Sequence, residues 1–213
     1  MCLLQVALDF LHVNEALKVA AATQEYVDII EAGTPLIKHE GIGIVENLKK
    51  SFQTKQIFAD LKIMDAGALE AKMAFEAGAD MISVCVQATM ETIAGAVEET
   101  RKRNKRVVVD LIGSMDWFLR AKETKHLSPD FFCIHTGLNE QMKGKKPFGV
   151  LESFSREINL PYCIAGGIRP EDITLIMPFK PSIIIVGGYI TKAENPTEAA
   201  KTIKEAIESW RVT

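Results

Sequence analysis

The chain has 213 residues, 47% hydrophobic and 25% charged, with a formal net charge of −3. At about 1.4 times a typical domain, with this composition, disordered, collagen-like and coiled-coil chains are excluded and one globular domain over 1–213 is expected. No apolar run reaches the roughly 20 residues of a membrane span, the N-terminal MCLLQVALDF carries no basic leader or cleavage site, and the slightly acidic charge gives no reason to expect a nucleic-acid partner.

Short β-rich apolar runs recur along the chain, separated by helical patterns. The first runs are Leu3–Asp9 and Tyr26–Glu31, followed by an i+3 apolar series at Ile42, Val45 and Leu48. Gln56–Lys62 comes next, then Leu69, Met73 and Ala77 at i+4 steps, which predict a helix buried on that face. After Asp80–Val86, residues Met90, Ile93, Ala94 and Val97 mark another helix face. Arg106–Ile112 and Asp130–His135 follow. The segment MKGKKPFGVLESFSREI begins loop-like and offers only Val150, Leu151 and Phe154 as a face. Pro161–Ala165 and Ser182–Gly187 complete the strands, with a helix start at Pro170-Glu171-Asp172 between them. The last helix has Asn195 as N-cap, Pro196 at its first position and Glu198 placed for a capping box, and is expected to bury Ala199, Ile203, Ala206 and Trp210.

Eight strand–helix units with no linker predict an α/β fold, a single (β/α)8 TIM barrel with short loops. An open doubly wound sheet would carry a glycine-rich loop after its first strand, and LDFLHVNEAL has no glycine. Cys2, Cys85, Cys133 and Cys163 lack C-x-x-C spacing, which fits free thiols in a reducing cytoplasm.

In a barrel, chemistry is built at the carboxyl ends of the strands. Asp9, Glu31, Asp60, Lys62 and His135 close their apolar runs, and Asp110 lies near the end of the fifth. Like charges converging on one mouth repel unless a cation or substrate offsets them. In Asp60-Leu61-Lys62-Ile63-Met64-Asp65, alternation puts Asp60 and Lys62 on one face, aimed into the mouth, with Asp65 on the loop beyond. Such a set suits proton transfer beside a carbonyl, although a register-fixing ion pair is the structural alternative. Gly166-Gly167 and Gly187-Gly188 end the last two strands, where barrels of this kind hold phosphate through backbone N–H groups. His12, His39 and His126 are expected to be solvated. Lys143-Gly144-Lys145-Lys146 is either a loop over the site or a solvated turn.

The segments Leu4–Asp9, Asp28–Thr34, Ala59–Asp65 and Ile134–Gly137, with the two Gly-Gly strand ends, resemble the orotidine monophosphate decarboxylase superfamily over the whole chain. The D-x-K-x-x-D motif at Asp60, Lys62 and Asp65 is specific to that superfamily. Glu31 followed by Gly33-Thr34 resembles its metal-using members. His135-Thr136-Gly137, the lack of arginine between His135 and Arg156, and Gly188 resemble the 3-hexulose-6-phosphate synthase branch more than the sister 3-keto-L-gulonate-6-phosphate decarboxylases. Asn139 stands where that branch often has aspartate.

The resemblance implies Mg²⁺, or Mn²⁺, on Glu31 and Asp60, catalytic Asp9, Asp60, Lys62, Asp65 and His135, and phosphate at Gly166, Gly167, Gly187 and Gly188. It implies a reversible aldol reaction of formaldehyde with D-ribulose 5-phosphate, a small phosphosugar. It further implies a homodimer with shared active sites, each subunit lending Asp65 to the other. The alternatives are the sister decarboxylation and a non-catalytic sugar-phosphate-binding barrel.

Overall fold

The computed structural model describes residues 2–210. Eight parallel strands, β1 (Leu3–Leu8), β2 (Ile29–Ala32), β3 (Gln56–Ile63), β4 (Met81–Cys85), β5 (Arg106–Asp110), β6 (Phe131–His135), β7 (Tyr162–Ala165) and β8 (Ile183–Val186), pair in chain order, and β8 closes on β1. This is the (β/α)8 barrel expected. Helices Val13–Thr23, Gly43–Ser51, Gly67–Glu76, Met90–Lys102, Trp117–Thr124, Leu151–Glu157, Ile173–Ile176 and Pro196–Ser209 occupy the returns. Three short helices, Thr34–Glu40, Leu138–Gln141 and Gly188–Thr191, follow β2, β6 and β8 directly. Among the described residues no helix is long and apolar enough to cross a membrane.

The strands are apolar on both faces because each face meets a different layer. Leu4, Val6 and Leu8 of β1, Ile30 of β2, Ile57 and Ala59 of β3, and Ile184 and Val186 of β8 pack outward under the helices. The alternate positions form a second, smaller cluster inside the barrel: Ala7, Ile29, Phe58, Met81, Val108, Cys133, Cys163, Ala165, Ile183 and Ile185. All ten are buried, so the interior is filled rather than open, as in other barrels of this kind. All four cysteines are buried, and no disulfide forms among the described residues.

Two expectations about helix faces need correction. The helix Gly67–Glu76 does not bury Leu69 and Met73, which are 60% and 47% exposed, but Gly67, Ala71, Ala74 and Phe75. The reason is close packing against the helix Met90–Lys102. A Cβ at Gly67 would overlap the carbonyl of Thr92, and Ala68 meets Gly95, so small residues mark the inner face and the larger ones are turned outward. In the last helix Ile207 is buried where Trp210 was expected, and Trp210 is 38% exposed at the helix end. The Asn195 side chain does accept from the Glu198 N–H, as its cap position requires. The sixth return turns through Pro147–Val150 into a helix that buries Leu151 and Phe154.

Candidate active site

The residues that face the barrel interior share one parity along each strand. Counting from the inner cluster toward the carboxyl ends, the next inward positions are Asp9, Glu31, Asp60 and Lys62, Ser83, Asp110 and His135, with Gln5 sharing their parity one step below Ala7. Polar side chains therefore begin where the apolar filling stops. Above that filling lies a pocket of about 560 Å³, whose floor includes Phe58, Val108, Cys133 and Ile185. Asp9, Glu31, Asp60, Lys62, His135 and the glycines Gly166, Gly167, Gly187 and Gly188 all line it. Asp65 does not. It is exposed, and its carboxylate accepts from the Ala66 N–H at the outer rim.

Lys62 is the centre of the ionic network. Its Nζ is 2.5 Å from Asp60 Oδ2 and 3.3 Å from Asp110 Oδ2. Burial alone would lower its pKa, but Asp60 and Asp110 outweigh it and raise the value, so Lys62 is held as a cation. Its backbone is left-handed, φ 48°, and the β3–β4 register slips between Ala59 and Ile63. Ser83 bridges the slip: its hydroxyl accepts from the Lys62 N–H at 2.9 Å and donates to Asp60 Oδ1 at 2.6 Å. The Thr34 hydroxyl is within hydrogen-bonding distance of both the Asp60 carbonyl, at 2.7 Å, and Asp60 Oδ2, at 2.8 Å.

Asp110 also holds His135, whose Nδ1 lies 3.0 Å from Asp110 Oδ2. Burial opposes charge on both groups, yet the pairing wins. Asp110 is lowered to about 2 by His135 and Lys62, and His135 is raised above its ordinary value by Asp110. With Nδ1 engaged, the other ring nitrogen is left for the pocket. Ligand atoms of Asp110, Cys133 and His135 lie within 4.8 Å of one another. Burial raises the Cys133 thiol pKa, and the contact the structure forms within this group is the aspartate–histidine pair.

Glu31 is buried, and Gln5 Nε2 donates to its Oε2 at 2.5 Å. Among the described residues no donor meets its other oxygen. Burial, then Asp60 and Asp9, push its pKa well up. Asp9 sits at the mouth, open to solvent, yet the surrounding protein and Asp60 raise its pKa also. Four carboxylates thus crowd Lys62, His135 and Lys192. Asp60 already pairs with Lys62, but the buried Glu31 on the neighbouring strand forms no ion pair among the described residues, and the two carboxylates are hard oxygen donors that fit a divalent cation.

The glycine ends are shaped for close approach. Gly166 has φ 117°, and a Cβ there would lie 2.6 Å from the Thr136 carbonyl oxygen. The next glycine is fixed from outside, because Lys146 donates to the Gly167 carbonyl at 2.7 Å and pairs with Asp172 at 2.6 Å. The basic segment 143–146 is therefore tied by Lys146 to the loop after β7, and Lys145 pairs with Glu140. The sequence marks Asp110 without a role and Thr34 only as part of the family resemblance, and no motif in it signals Gln5, Ser83 or Lys192. Inward parity alone marks Gln5, Ser83 and Asp110.

Comparison with known proteins identifies the family and agrees with the fold. The family model described as "Orotidine 5'-phosphate decarboxylase / HUMPS family" matches residues 3–203. The chain is 43% identical over 204 residues to the 3-hexulose-6-phosphate synthase of Mycobacterium gastri, covering 96% of this chain and 99% of the relative. A crystal structure of a 3-hexulose-6-phosphate synthase superposes with a TM-score of 0.93 at 44% identity, covering 96% of this chain and 99% of that one. The 3-keto-L-gulonate-6-phosphate decarboxylase of Vibrio cholerae superposes with a TM-score of 0.88 at 30% identity, covering 98% of each chain.

Proposed function

This chain belongs to the orotidine 5'-phosphate decarboxylase / HUMPS family and is an enzyme of the lyase class, and on that premise we propose that it catalyses the reversible aldol condensation of formaldehyde with D-ribulose 5-phosphate to 3-hexulose 6-phosphate. The observation that carries the reading is the Asp60–Lys62–Asp110–His135 chain of contacts facing the glycine ends of β7 and β8 across one pocket.

The sugar phosphate anchors at Gly166, Gly167, Gly187 and Gly188, whose lack of side chains lets backbone N–H groups approach its oxygens. His135, in its neutral form and oriented by Asp110, removes the C1 proton and leaves an enediolate. Lys62 places its charge against the enediolate oxygens. The enediolate carbon then attacks the carbonyl carbon of formaldehyde, and the imidazolium returns a proton to the new alkoxide. Asp9 at the mouth holds a substrate hydroxyl. Glu31 and Asp60 are the residues that would hold Mg²⁺ or Mn²⁺, which when bound supplies Lewis-acid stabilisation of negative charge on the substrate oxygens.

The reading includes a homodimer in which Asp65 serves the partner's site. Supporting it, Asp65 lies outside its own pocket, adjacent in sequence to Met64, 52% exposed, and just before the helix Gly67–Glu76 whose Leu69 and Met73 are exposed. Several large apolar side chains exposed within one stretch of chain fit an association surface. A cytoplasmic location belongs to the same reading and accords with the lack of any disulfide among the described residues.

Purified protein with Mg²⁺ and ribulose 5-phosphate should consume formaldehyde in equal amount to the product formed. No consumption, with CO₂ released from 3-keto-L-gulonate 6-phosphate, would replace this reading by the sister decarboxylation, which the structural likeness to the Vibrio cholerae enzyme favours as the second choice.

A further inference from the structure

Three metal-ligating side chains converge on the barrel rim outside the pocket. His12 precedes the helix Val13–Thr23, and His39 and Glu40 end the helix Thr34–Glu40. One ligand atom from each lies within 4.8 Å of the other two. The two imidazoles meet edge to face with centroids 4.9 Å apart, and His39 Nδ1 is 3.8 Å from Glu40 Oε1. Ligand atoms about 2.0–2.1 Å from one tetrahedral ion are separated by roughly 3.3 Å, so small side-chain rotations bring the three to a common centre.

The local structure keeps these groups together and available. His12 occupies an N-cap position, where serine, threonine, aspartate or asparagine is preferred, and makes no side-chain capping bond. Glu40 takes over that role from the other helix: its Oε1 accepts from the Val13 N–H at 2.9 Å. The His12 ring is thereby left free of capping duty, and the carboxylate beside it is oriented by an outer hydrogen bond, as metal ligands commonly are. Gly41, at φ 75°, ends the helix with its N–H donating to the Ile37 carbonyl at 2.8 Å, which fixes the backbone carrying His39 and Glu40. All three side chains are exposed, so a cation reaches them without desolvating a core.

We propose that His12, His39 and Glu40 form a second metal site, for a transition ion such as Zn²⁺, separate from the oxygen-only pair Glu31 and Asp60. Imidazole selects zinc, nickel or copper over magnesium, which keeps to oxygen ligands. Three protein ligands leave a fourth position for water. The bound ion ties the segment after β1, which carries the pocket residues Asp9 and Phe10, to the helix opened by Thr34, which bonds Asp60. It braces two pocket walls from outside, and it stands whatever reaction the pocket performs.

The test is equilibrium dialysis of the full-length, tag-free protein against zinc in excess Mg²⁺ at neutral pH, with imidazole NMR signals followed in parallel. The wild type should take up one zinc equivalent more than the variant His12→Ala/His39→Ala, and zinc should shift the signals of His12 and His39 but not that of His126. Glu40→Gln, which keeps an acceptor for the Val13 N–H, should weaken uptake about tenfold or more. The four cysteines are buried and do not compete for the ion. Equal uptake by wild type and double variant, or zinc binding that leaves both imidazoles unmoved, overturns the proposal. Zinc-free turnover equal to wild type shows that the double variant is folded.

Discussion

Asp110→Asn removes one charge from the site while keeping the volume of the side chain. In the structure Asp110 lies 3.0 Å from His135 Nδ1 and raises the pKa of that imidazole, against a burial effect that lowers it. A charge pair at about 4 Å in surroundings of effective dielectric near 20 is worth about 4 kcal/mol, and an adjacent opposite charge moves a pKa by about 1–3 pH units. His135 serves as base only when neutral. Removing Asp110 lowers its pKa, so the acid limb of kcat/KM should move down by about 1–3 pH units. The maximal rate should fall by about 10²–10⁴-fold, because the amide neither fixes the tautomer nor stabilises the imidazolium. Lys62 keeps Asp60 as its partner, so the fold should be retained. The assay is formaldehyde consumption against pH, paired with an NMR titration of His135. An acid limb that stays in place while the His135 titration shifts would assign the limb to another group and refute the role given to this histidine.

Glu31→Gln should raise the Mg²⁺ concentration needed for half-maximal activity sharply, and an unchanged metal titration would remove Glu31 from the site. Gly166→Ala should raise KM for the phosphosugar and lower stability, since its φ of 117° and the 2.6 Å approach to the Thr136 carbonyl exclude a side chain; wild-type KM and melting temperature would contradict this. Asp80→Ala should cost about 2 kcal/mol, or a Tm drop of about 4–8 °C, because Asp80 pairs with Lys49 and Lys105 at 2.7 Å each and accepts from the Ile57 N–H. Its carboxyl pKa is lowered in the fold, so its contribution is present at neutral pH and fades as pH falls through the folded value; an unchanged Tm would refute the accounting. Lys62→Ala and Asp65→Ala should each be nearly inactive, while an equal mixture refolded together should recover about a quarter of wild-type activity if sites are shared between subunits. No recovery would place Asp65 outside the partner's site.

The strands and their closure were legible because parallel strands buried on both faces write themselves as apolar runs, from Leu3–Leu8 to Ile183–Val186. The helix faces were less so. Leu69 and Met73 have the spacing of a core stripe, but helix–helix contact at Gly67 and Gly95 demands small residues, and backbone proximity leaves no trace in hydrophobicity. In the site, Asp9, Glu31, Asp60, Lys62 and His135 stood out because a charge ending an apolar run is conspicuous. Ser83 and Gln5 did not, being neutral and set among apolar neighbours, although they hold Asp60 and Glu31 in place. The exposed His12 and His39 were expected to be merely solvated, since nothing local in the chain announces that the end of one helix lies beside the start of another.

The filled interior of the barrel has a consequence for traffic. With Met81, Cys163, Ile29 and Ile183 stopping the lower half, the chamber has one doorway, and reactants and product must share it. On the proposed reading, a phosphosugar moored at Gly166 and Gly188 would lie across that doorway. A one-carbon reactant can slip past it, whereas a second sugar cannot enter until the six-carbon product has gone. The phosphosugar would then bind first and the small reactant last, and departure of the product would be among the steps able to limit turnover.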